Sequence, residues 1–328
     1  MSGPESSGAM AGGEMRPAGV GELLSRIWML LRGNVWLYVK LAVLPVGVLA
    51  VSEGLLFWKL HSLGLFPPHP GPPNPQLAWV ELVGMFAIIP PLMVAYVLFE
   101  GATCVSALAG MRSTRLSFRE AYGMAGRRAG RLIWLLVLRT LAAVLPWIVV
   151  VAVVTGAIAA MAMQGAPHPG LYFVLWPLVV VLFLGGLAWV IWISLHLCLG
   201  VPACMAEDVS AWTACKRSGR LSHGGKGRIF VVIFLVYLIG MAAIIVFEMV
   251  VFALTGVGAL AGMLLHVHLA LPHTMIWIVP LAILLIAWFY LVIALQWAGF
   301  SITMTVLYDD QRFRSEGIAP MPLTGEPT

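Results

Sequence analysis

Six charged side chains fall inside stretches that are otherwise apolar enough to cross a bilayer: Lys40, Glu53, Glu81, Glu100, Arg139 and Glu248, with His196 as a polar companion. A charge in lipid is costly, so each needs a partner, a route to water or a task. Glu100 lies about ten residues from the basic end of its stretch and Arg139 about seven residues into the next, and at about 1.5 Å of rise per residue their depths match. The two are expected to form an ion pair. Lys40 is close enough to an edge to reach the headgroups. Glu53, Glu81 and Glu248 all fall toward the opposite half. Three converging carboxylates would hold a cation or relay protons; three separate ones would sit hydrated near headgroups.

Histidine is distributed unevenly as well. His61, His69, His168, His266, His268 and His273 lie in or beside the connections at that opposite end. Imidazole binds transition metals, and His266 and His268 would place two ligands together. No acidic cluster or cysteine completes a set, and neither a metal nor a cofactor is expected. Cys104, Cys198, Cys204 and Cys215 fit no zinc spacing and read as small packing residues. Catalytic signatures are missing too. SHGGKG at 222–227 fails as a phosphate loop, because Arg220 stands where Gly is needed and Gly227 where Ser or Thr is needed. It reads better as a glycine hinge.

A second charged constellation follows the last apolar stretch. Asp309, Asp310, Arg312, Arg314 and Glu316 mix both signs, and Lys216, Arg217 and Arg220 stand in the basic segment before the fifth stretch. Pairing Asp310, Arg312, Arg314 and Glu316 with those three cations would clamp the helix ends together. The sharper alternative is a ligand or headgroup site at the same surface.

The elements that must position these groups follow from hydropathy. Hydrophobic residues make up 61% of the chain and charged residues 10%, against about 25% charged in a soluble domain. Such a chain cannot cover its own surface with polar groups, so lipid must cover it. A span needs about 20 apolar residues, and six stretches qualify: 35–57, 78–110, 132–164, 171–202, 229–262 and 274–307. Sixteen of the 19 Lys and Arg lie outside them in clusters at 16–32, 112–131, 216–228 and 312–314, and Lys59 stands outside alone. By the positive-inside rule every cluster is cytoplasmic, and so are both termini. The net charge of +5 is thereby accounted for at membrane edges, and no nucleic-acid module is present.

Each pair of stretches is preceded by a short helical pattern. In 19–34, Val20, Leu23, Leu24, Ile27, Trp28 and Leu31 share a face. In 116–131, Ser117 and Glu120 make a capping box. In 208–228, Asp208 or Ser210 is the N-cap. These are read as three basic amphipathic helices at the membrane surface, each leading a hairpin of two spans. The predicted class is therefore an all-α polytopic membrane protein, with repeat units at about 19–110, 116–202 and 208–308. Residues 1–18 are expected to be disordered and 309–328 to form a cytoplasmic tail.

Two motifs carry a resemblance. One is A-x-K-R-S-x-x-L-S-x-G at Ala214, Lys216, Arg217, Ser218, Leu221, Ser222 and Gly224. The other is Y-x-D-x-R-x-R-x-E-G at Tyr308, Asp310, Arg312, Arg314, Glu316 and Gly317. Together they resemble an uncharacterised group of bacterial six-helix integral membrane proteins, related to the membrane domain attached to some glycerophosphodiester phosphodiesterases. The resemblance implies a module of the bacterial cytoplasmic membrane. The phosphodiesterase chemistry belongs to a separate soluble barrel that has no counterpart here. The leading expectation is a non-enzymatic scaffold or accessory subunit, whose partners are the bilayer, anionic headgroups or another membrane protein. The alternative is a transporter or lipid-handling protein using the intramembrane carboxylates. An intramembrane enzyme has only His196 and those carboxylates behind it.

Overall fold

The computed structural model describes residues 18–62, 75–163, 169–264 and 271–317. The N-terminal segment expected to be disordered, the connections carrying His69, His168, His266 and His268, and the tail beyond 317 lie outside the described residues. So do the side chains of His61, Glu81 and His273.

Every regular element among the described residues is an α-helix. In chain order they are α1 (Val20–Gly33), α2 (Val35–Ser62), α3 (Pro75–Met111), α4 (Phe118–Arg127), α5 (Ala129–Met163), α6 (Pro169–Leu197), α7 (Gly200–Glu207), α8 (Ala211–Ser222), α9 (Lys226–Leu264) and α10 (Leu271–Glu316). Six segments are long and apolar enough to cross a membrane: Val35–Leu56, Phe86–Met111, Ala129–Ala159, Trp176–Glu207, Lys226–Ala253 and Leu285–Glu316. Pro45, Pro90, Pro91, Pro146 and Pro177 stand inside these long helices without ending them.

The long helices pack in chain-neighbour pairs, α2 on α3, α5 on α6 and α9 on α10. Small residues set the close approaches. A Cβ at Gly101 of α3 would stand 2.7 Å from Leu132 Cδ1 of α5. The Trp147 ring of α5 packs beside Gly186 of α6, and Trp189 Nε1 donates to the Ala142 carbonyl at 2.9 Å.

Four short helices, α1, α4, α7 and α8, stand at the end where the basic residues gather. α4 starts with its capping box: the Ser117 N–H donates to Glu120 Oε2 at 2.8 Å and the Glu120 N–H to Ser117 Oγ at 3.4 Å. α8 is capped by Ser210, whose hydroxyl accepts from the Thr213 N–H. Asp208 instead ends α7 in the left-handed conformation, φ 54°. α1 buries Leu23, Ile27 and Leu30 and exposes Trp28 and Met29.

The fourth span differs from its expected form. It breaks at Cys198 and Leu199 and resumes as α7. Pro202 supplies no N–H for the Cys198 carbonyl; the other span prolines leave their helices running, and here the freed groups find a partner on another helix. Ser218 of α8 takes up freed groups on both sides of the break. Its hydroxyl donates to the His196 carbonyl at 2.7 Å and accepts from the Leu199 N–H at 3.1 Å.

The core sits at the basic end. Tyr38, Leu41, Phe99, Leu132, Leu199, Ile229, Ile302, Leu307 and Tyr308 are fully buried there. Farther along, α5, α6 and α9 turn Ile148, Val151, Trp176, Leu184, Ile245 and Phe252 outward. At the centre of the core runs α10, buried on every side from Ser301 to Gln311 and touching α1, α2, α3, α7, α8 and α9. Its interior hydroxyls are satisfied locally, Thr303 to the Gly299 carbonyl and Thr305 to Ser301. α10 also runs past position 308, where a tail was expected to begin. Those extra turns are held by charge, as follows.

Candidate functional site

The charges converge on the turn between α7 and α8. Asp208 Oδ1 accepts from Arg131 Nη1 at 2.6 Å and lies 3.1 Å from Arg128 Nε, which fastens the start of α5 to the end of α7. Arg128 also donates to the Met205 carbonyl. Glu207, one position earlier, faces the other way. It accepts from Arg217 Nε at 3.0 Å and Nη2 at 2.9 Å, and from the Tyr308 hydroxyl at 2.6 Å. Arg217 reaches on to Glu316, which also lies 3.5 Å from Arg312 Nε. One guanidinium thus ties α7, α8 and α10. The Glu316 hydrogen bond, and then that to Glu207, hold the Arg217 guanidinium well above its ordinary range, against the opposing effect of burial.

A second knot lies on the α9 side of α10. Asp310, 5% exposed, is 3.4 Å from Arg228 Nη2 and 3.0 Å from Arg314 Nε. Both guanidinium groups also donate to the Ala18 carbonyl, which pins the entry to α1. Gly225 makes room for the Gln311 amide, whose Oε1 would lie 2.7 Å from a Cβ there. Buried charges of this kind persist only with geometry that satisfies them.

Of the residues singled out by sequence, Arg217 and Glu316 meet. Asp310 pairs with Arg228 and its own helix's Arg314, and Arg312 with Glu316. Lys216 lies instead over the Trp212 ring, 5.5 Å from its centroid. Arg220 is exposed and has no acidic partner among the described residues. Deeper in the bundle, Arg139 Nη1 stands 3.8 Å from Glu100 Oε1. Glu100 is 4% exposed and Arg139 half-buried. The Glu100 carbonyl accepts from Ser301 Oγ at 3.1 Å, and the neighbouring Tyr96 ring meets Trp297 edge-on. The three other carboxylates are not brought together among the described side chains. Glu53 accepts from the Tyr290 hydroxyl of α10, Glu248 is exposed on α9, and Glu81 is not described.

Sequence reasoning missed Glu207, Asp208, Arg128, Arg131 and Arg228 as members of the knot. The adjacent acids Glu207 and Asp208 just ahead of the Ser210 cap were the available signal, since they are the only carboxylates in that basic stretch. Among the described residues no group of three His, Cys, Asp or Glu is arranged to hold a metal ion. The four cysteines are free and buried. Chemically the arrangement fastens helix ends: its carboxylates are committed to arginines, and its remaining cations face outward. Comparison with family models, curated proteins and solved structures returns no match to this chain.

Proposed function

We propose that this chain is a six-span protein of a bacterial cytoplasmic membrane, with both termini cytoplasmic, that serves as a non-enzymatic scaffold or accessory subunit. In this reading the spans form three hairpins, units 19–110, 116–202 and 208–308. Each is led by a basic amphipathic helix, α1, α4 or α8, lying at headgroup depth.

The observation that carries the reading is the pair of arginine–carboxylate knots, which lock α5, α7, α8, α9 and α10 at one end. Outside them Arg115, Arg119, Arg127, Lys216 and Arg220 stand exposed beside Phe118 and Trp212. A locked end with an exposed basic and aromatic surface suits docking more than a conformational cycle. The test is gentle release from the native membrane followed by native mass spectrometry. A protein retained in fixed ratio supports the reading. Substrate-dependent flux in vesicles holding the purified chain alone would overturn it.

A second reading, transport or lipid handling, has one observation in its favour. A cleft of about 620 Å³ opens between the outer halves of α2 and α3, lined by Ser52, Leu55, Leu56, Val83 and Ile88. Its walls are apolar enough for an acyl chain.

A further inference from the structure

The cleft between α8 and the end of α6 takes no part in either knot. α8 sorts its side chains by face. Ala214, Ser218 and Leu221 point into the core and Arg217 toward α10. Thr213, Lys216 and Arg220 share the outward face. With His196, Gly219 and His223 they line an open cavity of about 840 Å³. Among the described residues no carboxylate lines it. The nearest acids in the chain, Glu207 and Asp208, are held by Arg217, Arg128 and Arg131.

The cations here are positioned without being neutralised. Lys216 rests over Trp212, and Lys226 lies 4.3 Å from the centroid of Trp192. Trp192 stacks in turn on His196, with ring centroids 5.3 Å apart and planes 7° from parallel. His196 Nδ1 has no hydrogen-bond partner among the described residues. The ring seats against α8 only because position 219 is glycine: a Cβ there would stand 2.4 Å from His196 Nε2. α9 begins at Lys226 beside the cleft, adding the positive end of a long helix.

We propose that this cleft binds a phosphoryl group, with Lys216 and Arg220 as its principal ligands, the His196 and His223 rings lining it and Lys226 adding charge beside it. Guanidinium and ammonium groups offer multiple donors to phosphate oxygens. Exposed Trp192 and Trp212 are of the kind found at the membrane–water boundary. The phosphoryl group is therefore that of an anionic glycerophospholipid or of a soluble phosphate. The site goes beyond the scaffold reading and stands whether or not a protein docks at this end.

The test is thermal unfolding of the full chain in neutral detergent, titrated separately with short-chain phosphatidylglycerol and with inorganic phosphate. Short-chain phosphatidylcholine controls for apolar effects. A ligand of the folded state raises the midpoint saturably. At about fivefold per cation, the K216Q/R220Q double variant is expected to need roughly thirtyfold more ligand, with its unliganded midpoint unchanged. Arg220→Gln alone is expected to need roughly fivefold more. The R115Q/R119Q variant removes equal charge from the α4 end and is expected to respond as wild type does. Saturation by phosphatidylglycerol alone identifies a lipid headgroup as the source; saturation by inorganic phosphate identifies a soluble anion. No saturable rise with either, or an equal loss in R115Q/R119Q, overturns the proposal.

Discussion

Arg217 and Arg220 sit on one short helix, yet they do different work. Arg217 satisfies carboxylates from two other helices, while Arg220 faces an open cleft. Without Arg217 the half-buried Glu207 has no cation among the described residues and keeps only the Tyr308 hydroxyl, so Arg217→Gln is expected to cost about 2–3 kcal/mol. Arg220→Gln is expected to change stability by less than about 0.5 kcal/mol. Unfolding midpoints of both variants in the same detergent check the contrast, and equal midpoints would remove the distinction. The Glu100–Arg139 pair is lopsided in burial, and that too has a consequence. Without Arg139, Glu100 stays walled in at 4% exposure; without Glu100, half-buried Arg139 can turn toward the headgroups. Arg139→Gln is therefore expected to destabilise more than Glu100→Gln, and the reverse order in a thermal series would mean that Arg139 is the buried partner.

At the scale of elements, α4 depends on its first turn. Hydrogen bonds from the Ser117 N–H, and then from its hydroxyl, hold the Glu120 carboxyl below the usual carboxylate range. A carboxyl depressed in the folded state contributes above its unfolded value and loses that contribution as pH falls through the folded one. Acidification below the ordinary carboxylate range is therefore expected to loosen the start of α4. Ser117→Ala should do so at neutral pH, with amide exchange at Glu120 and Ala121 faster by about fivefold. Exchange rates read residue by residue check both. The six apolar segments and the α4 and α8 caps were legible because hydropathy and capping are local. The break before α7 was not, since Cys198-Leu199-Gly200-Val201 reads as uninterrupted apolar helix and only Pro202 marks it. The last turns of α10 read as a charged tail for a related reason. Asp310 is buried by Arg228, on an element far back in the chain. The expected clamp had the same weakness: charge composition put Lys216, Arg217 and Arg220 at the right end, but rotation about α8 decides which of them faces α10. That rotation is set by Ala214, Ser218 and Leu221 packing inward.

The whole molecule is tight at one end and open along its outer sides. A photoreactive acyl chain in the surrounding lipid is expected to label Trp176, Leu184 and Phe252, and to leave Phe99, Ile302 and Leu307 unlabelled. Labelling of Phe99 at the level of Leu184 would mean that the core is not packed in a bilayer. The tight end owes its closure to α10, which the ribosome makes after every other helix described here. Until Ser301 through Glu316 have been translated, α1, α3, α7, α8 and α9 surround an empty centre. Arg217 then lacks Glu316, and Arg228 lacks Asp310. An interrupted chain is thus already threaded into lipid yet has no keystone, and its stranded arginines advertise the fault. Translation of α10 and closure of the core become one event. Chains that lack α10 would differ from those that carry it by these two unpaired arginines.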